Sequence, residues 1–282
     1  MIERHLRQID GAYLHFRKTS KVGGVPLVLL HPSPRNSAMF EPMMRLLQDD
    51  FDLVAPDTPG YGGSDALPEV PAGIADYLPS LRALLLEVAG PRFMLYGSAT
   101  GAQLAIAYAN SHPGDVAHLF LDNAAHFDPA ERQRIVEGYF PDLSPCADGG
   151  HLQRAWKMAQ QMTQFFPWFQ NDEAHRISQR IPAPAEVQTL AMEFLAAGPH
   201  YDSAYRAAFE HERAQNVQAL KVPTTLFRWL GSVLLRHIDA LLAQPLPANL
   251  RVVETPLTMP ERYAAMRLEF VAAHPSRQIP QP

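Results

Sequence analysis

Residues 93–113 read FMLYGSATGAQLAIAYANSHP. The run RFMLYG (92–97), apolar after its first residue, meets a turn bounded by Gly97 and Gly101, and a helical pattern over 101–112 opens at once. A run that is apolar at every position, rather than every second one, predicts a strand covered on both faces, as in a parallel sheet. A strand that turns directly into a helix predicts a β–turn–α unit. Ala99 stands at the apex of that turn.

The same unit repeats outward from this point. VPLVLLH (25–31), FDLVAPD (51–57) and VAHLFLDNA (116–124) are further continuous apolar runs, separated by helical patterns at 37–48 and 74–89. Strand and helix in alternation predict a mostly parallel, doubly wound α/β sheet. Two short alternating strands joined at Asp10-Gly11 precede it as a hairpin. Pro79 inside the 74–89 pattern predicts a kink or a late helix start. After about residue 126 the alternation stops, and 129–219 carry helical patterns with aromatic clusters and no clear strand. Strands return at 222–230 and 250–256, and a helix over 260–273 closes the chain, with Pro275 as its stop. The expected division is a core of 1–128 and 221–282 with a helical lid at 129–220, inserted after the sixth strand.

Composition narrows the function classes. The chain has 282 residues, 47% hydrophobic and 19% charged, enough to bury a full core. A formal charge of −5 gives no basic field to attract nucleic acid or an anionic membrane. No apolar run is long enough to span a bilayer, and the N-terminus has no signal-peptide pattern. Cys146, the single cysteine, forms no internal disulfide, which points to a reducing, cytoplasmic setting. No metal-binding spacing occurs, and no cofactor is expected. The expected partner is a small-molecule substrate or ligand, with a homodimer compatible with the sequence.

Three motifs in order carry a resemblance. LLHPSPRNS follows the first buried strand, APDTPGYGGSD the second, and LYGSATGA joins the third to its helix. The middle motif is similar to a D-x-P-G-x-G-x-S loop at Asp57, Pro59, Gly60, Gly62 and Ser64. Together with the insertion and the two late strands, the chain resembles the α/β-hydrolase fold superfamily over nearly its whole length. That resemblance implies a G-x-S-x-G nucleophile elbow, whose glycines permit a strained turn lifting a serine above the sheet. Here Gly97 and Gly101 keep the spacing, and Ala99 fills the nucleophile slot. Ser98 is expected to point away from the apex, and Thr100 to cap the helix or bond backbone.

The resemblance also implies an acid after the strand at 224–228 and a histidine after that at 250–256. Gly231 or Ser232 stands in the first place, and Leu257, Thr258 and Met259 in the second. His237 and His274 are poor replacements, one within the next helix and the other beyond the last. A laboratory Ser→Ala change would leave the acid and histidine in place, so their joint absence favours a natural departure.

What the motifs keep is an oxyanion site. The implied donors are the main-chain N–H groups of Thr100 and Ser33, assisted by a helix N-terminus. Three side chains are candidates for proton transfer: His31 at the end of its strand, and Asp122 with His126 at the carboxyl end of the strand after the elbow helix, where open sheets bind ligands. Arg35, Asn123 and Trp168 are candidate substrate contacts. Two principal readings result. One is an enzyme acting on a small carbonyl or ester compound without a serine nucleophile, using a histidine general base, as a lyase, isomerase, decarboxylase or non-covalent hydrolase. The other is an inactive ligand-binding or scaffold protein. A hydrolase with a displaced or engineered-out triad is held in reserve.

Overall fold

The computed structural model describes residues 1–20 and 25–274. Eight strands form one sheet: β1 (Glu3–Ile9), β2 (Ala12–Thr19), β3 (Pro26–Leu30), β4 (Asp52–Pro56), β5 (Phe93–Ser98), β6 (Val116–Asp122), β7 (Thr224–Trp229) and β8 (Leu250–Thr255). Their order is β1-β2-β4-β3-β5-β6-β7-β8. From β4 through β8 every neighbouring pair is parallel, and the β1–β2 hairpin joins the edge by an antiparallel pairing of β2 with β4. The hairpin turns at Asp10 (φ 50°) and Gly11 (φ 90°), the two left-handed positions of a type I′ turn.

The helices of the core are α1 (Glu41–Leu47), α2 (Leu78–Val88) and α3 (Thr100–Ser111), and in the later part of the chain α9 (Leu235–Leu242) and α10 (Met259–Ala272). Pro79 is the second residue of α2, after one 3-10 turn at Ile74–Tyr77, so it marks a late start rather than a kink. The stop expected at Pro275 lies outside the described residues. No described helix is long and apolar enough to cross a membrane.

The unbroken apolar runs are explained by two covered faces. Successive side chains of a strand point to opposite sides. Leu27, Leu29, Met94 and Tyr96 pack with Met44, Leu47, Met266 and Phe270 beneath α1 and α10. Val28, Leu30 and Leu95 pack on the other side with Leu84, Leu104 and Tyr108 of α2 and α3.

Between β6 and β7 the chain forms α4 (Pro129–Gly138), α5 (Gly150–Met162), α6 (Pro184–Ala196), α7 (Ser203–His211) and α8 (Ala214–Gln218). Ile135, Met158, Phe194 and Phe209 of these helices join the apolar cluster on the α3 side, so the insertion and sheet share a continuous core. Arg35 in the loop after β3 reaches Glu193 of α6 at 2.7 Å and ties core to insertion.

The Asp57 loop is fixed by its buried carboxylate. It accepts from the N–H groups of Ser37 (2.6 Å) and Gly63 (2.8 Å) and from His15 Nδ1 (2.8 Å). Burial opposes its ionisation, but the His15 bond, the nearby His31 ring and those N–H donors outweigh it and hold the carboxyl well below the usual range. Ser64 closes the loop by donating to Asp57 O at 2.8 Å.

Candidate active site

Ala99 has φ 49° and ψ −112°, a backbone conformation that L-residues avoid. Its N–H donates to Asp122 O (3.0 Å), and its carbonyl accepts from Ala102 and Gln103 N–H. Both flanking glycines are required by close approach. A Cβ on Gly97 would lie 2.2 Å from Gly101 O, and one on Gly101 would lie 2.1 Å from Leu30 O. The strained elbow is therefore complete in its backbone, and Thr100 opens α3 with an N–H that has no acceptor within the helix.

Over this elbow lies a cavity of about 250 Å³. That is just under the 300–1,000 Å³ or so of sites for drug-sized ligands, so it suits a smaller molecule. Its base is Pro32, Ser98, Ala99 and Thr100, and Asn123, Trp229 and Ser232 form one wall. The insertion supplies Tyr139, Phe166, Tyr205, Phe209 and Glu212. No Lys, Arg or His side chain is among these lining residues, whose ionisable groups are Glu212 and the two tyrosines.

The polar wall is neutral. Ser232 Oγ donates to Asn123 Oδ1 at 2.6 Å, and Asn123 Nδ2 donates to Ser98 Oγ at 3.4 Å. Asn123 itself is left-handed (φ 52°). Ser98 therefore lines the cavity instead of turning away from the apex, yet meets an amide and not a histidine. Thr100 Oγ1 makes no hydrogen bond among the described residues, so it does not cap the helix.

Several expected site residues lie elsewhere. His31 has both ring nitrogens engaged: Nδ1 donates to Pro32 O (3.0 Å) and Nε2 accepts from Thr58 N–H (2.9 Å). Burial lowers its pKa, so the ring is neutral and has no lone pair to offer a substrate. Asp122 does not pair with His126. Strand parity turns its side chain toward α10, where it accepts from Tyr96 Oη (2.6 Å) and the Arg262 guanidinium. His126 bonds His237 O through its main-chain N–H, has a buried Nδ1 without a partner among the described residues, and does not line the cavity. Arg35 is committed to Glu193. Trp168 donates Nε1 to Tyr139 O (2.9 Å) and packs against that ring from outside the cavity. Ser33 is buried beside Tyr61, with Pro32 rather than its own side chain at the cavity. Ala99, Thr100 and Asn123 are the predicted residues brought together.

Where the triad histidine would be, Leu257 offers only its carbonyl, which accepts from Trp229 Nε1 (3.3 Å). Arg262, one turn into α10, lies over the Trp229 ring at 4.6 Å and pairs with Asp122.

Glu212 is a cavity residue that the sequence reading did not single out. Its side chain lines the cavity, yet the residue is only 4% exposed. Gln103 Nε2 donates to its Oε1 at 3.5 Å, and His211 Nδ1 donates to Gln103 Oε1 at 2.9 Å. Burial pushes the Glu212 carboxyl up to about 8, against lowering by the Gln103 bond and Arg132. The segment EHER (210–213) reads as a solvated charge run, but Ala204, Ala208 and Glu212 recur at helical spacing on one stripe, a signal that singles out the glutamate.

A second, more open trough of about 820 Å³ lies beside β2 and α6. Most of its charged lining residues are paired, Arg17 with Glu41, His15 with Asp57 and Glu193 with Arg35, while Arg4 at its edge has no ion pair among the described residues.

Comparison with known proteins agrees with this geometry. A family profile described as alpha/beta hydrolase fold matches residues 25–220. The 2-(acetamidomethylene)succinate hydrolase of Mesorhizobium japonicum is 31% identical over 107 residues, which span 38% of each chain and so less than half of that relative. Among solved structures, a thermophilic esterase from Thermogutta terrifontis superposes with a TM-score of 0.69 at 19% identity, over 96% of this chain and 99% of the other. Epoxide Hydrolase A from Mycobacterium thermoresistibile gives 0.70 at 18% identity, over 97% and 98%. At these identities the structural likeness speaks for the fold.

Proposed function

This chain belongs to the α/β-hydrolase fold family, and from that premise we propose that it is an enzyme for a small, neutral, carbonyl- or ester-bearing substrate that works without a covalent serine intermediate. The observation that carries this reading is the elbow, which keeps φ 49° at position 99 while turning a methyl group toward a cavity. Such a backbone costs about 1–3 kcal/mol. A cost of that size without a nucleophile is understandable if the turn's N–H groups are what the site uses.

A substrate oxygen seated over Ala99 accepts from Thr100 N–H, at the positive end of α3. The aromatic walls take an apolar body, and the lack of a cation among the lining residues favours a neutral ligand. The insertion serves as the lid over this space. A histidine base has no support from the geometry, since neither His31 nor His126 lines the cavity. The named activities of the similar proteins, hydrolase and esterase, favour hydrolysis by water as the reaction class. Loss of all three triad groups favours one competing reading, a ligand-binding protein without turnover.

One experiment separates them. The protein is treated with a serine-directed fluorophosphonate, then assayed with a panel of small aryl esters and ketones. The expected result is an unchanged intact mass, with ester turnover that Ala99→Leu lowers at least about tenfold by filling the space over the elbow. An adduct on Ser98 or Thr100 overturns the non-covalent reading. Ligands that bind and return unchanged leave the binding protein as the answer.

A further inference from the structure

We infer that Glu212 is the proton donor of this cavity, a carboxylic acid whose Oε2 faces the ligand while Gln103 holds its Oε1; the inference rests on the functional reading above. Three side chains from two helices build the arrangement. Gln103, 1% exposed, sits one turn beyond Ala99 on α3. Its Oε1 takes the His211 Nδ1–H at 2.9 Å, which fixes the amide and leaves Nε2 to face Glu212. Glu212 Oε1 is thereby used as an acceptor. No hydrogen bond occupies its Oε2 among the described residues, and Glu212 is one of the residues that line the cavity.

The surroundings keep the acid neutral. Gln103 faces it from α3, and Arg132 of α4 lies near enough to donate to Glu212 O at 3.5 Å. Tyr205 and His211 face it from α7, Tyr139 from the end of α4, and Arg213 follows it in the chain. Arg132 favours the carboxylate, but burial outweighs it and lifts the carboxyl to about 8. Burial and Arg213 push His211 down to about 4, so the ring is uncharged at neutral pH and adds no opposing charge.

The chemistry balances for an ester. Water oxygen bonds to the carbonyl carbon, the bond from that carbon to the alkoxy oxygen breaks, and Glu212 Oε2–H gives its proton to the departing oxygen. The proton released by the attacking water restores the acid. The carbonyl oxygen stays on the Thr100 N–H throughout. An acid is more useful here than a base because no nucleophile forms an intermediate, and the leaving group must be protonated as it departs.

The test uses the intact protein labelled with 13C at glutamate side-chain carboxyls, with phenoxyacetone as the probe, a neutral ketone whose second, ether oxygen can take the proton of Glu212. The resonance missing from Glu212→Gln is expected to titrate near pH 8 in the wild type. Phenoxyacetone affinity is expected to be flat below that pH and to fall about tenfold per unit above it, as the donor to the ether oxygen is lost. Glu212→Gln, which keeps an N–H donor in nearly the same shape, is expected to bind with no such pH dependence. A Glu212 resonance in the ordinary carboxylate range overturns the inference whatever the probe does, as does an identical binding profile in both proteins. Titration near 8 with no binding of phenoxyacetone or methyl benzoate upholds the cavity acid and overturns the functional reading instead.

Discussion

Ala99 holds a conformation with φ 49° that glycine adopts without strain. Its neighbours leave it no alternative, because Ala99 N–H is bonded to Asp122 O while its carbonyl already receives two N–H groups of α3. Ala99→Gly is therefore expected to raise stability by about 1 kcal/mol, the strain relieved less the entropy that glycine loses on folding. Urea denaturation checks the sign, and a loss of stability would show that the methyl packs usefully in the cavity. At this scale the sequence was readable where residue identity alone decides chemistry. A methyl group cannot attack a carbonyl in any fold. It was unreadable at His31, His126 and Asp122, where function depends on the direction of a side chain. His31 is consumed by Pro32 O and Thr58 N–H, and neither partner can be inferred from adjacent letters.

At the scale of elements, β5, its turn and α3 form a unit that cannot be loosened, since Gly97 and Gly101 bring backbone within reach of backbone. The loop after β8 lacks a histidine, and α10 instead sends Arg262 under Trp229 to meet Asp122 in a buried ion pair. Breaking such a pair leaves a charge buried alone. Arg262→Leu is expected to cost about 3–5 kcal/mol, with part recovered by adding Asp122→Asn. Denaturation of the single and double variants reads the coupling, and strict additivity would refute it. The elements themselves were legible because each core strand carries a continuous apolar run and each helix its own period. Pairing of α10 with the end of β6, 140 residues away, leaves no local trace.

For the whole molecule, one core continues from the α3 face of the sheet into the insertion, so buried ionisable groups on both sides contribute to global stability. Glu212, lifted from 4.5 to about 8, binds more protons folded than unfolded across that interval. Its contribution is present at low pH and is lost as pH rises toward 8. His31, His118, His211 and His237 are lowered by burial and act in the opposite sense, losing stability as pH falls below 6.5. Comparing Glu212→Gln with wild type isolates the glutamate. The variant's stability advantage is expected to widen between pH 5 and 8, by up to about 1.4 kcal/mol per unit. Thermal melting across that range measures it, and a constant difference would refute a raised carboxyl. The amino-acid sequence by itself determined the doubly wound sheet, the helices between β6 and β7 and the methyl group at the apex of the β5–α3 turn, since apolar periodicity, glycine spacing and side-chain identity are local properties. Only the tertiary structure decided which polar groups face the cavity. Strand parity turned Asp122 away, and the packing of α7 on α3 brought Glu212 to Gln103, contacts set by how helices and sheet meet in space.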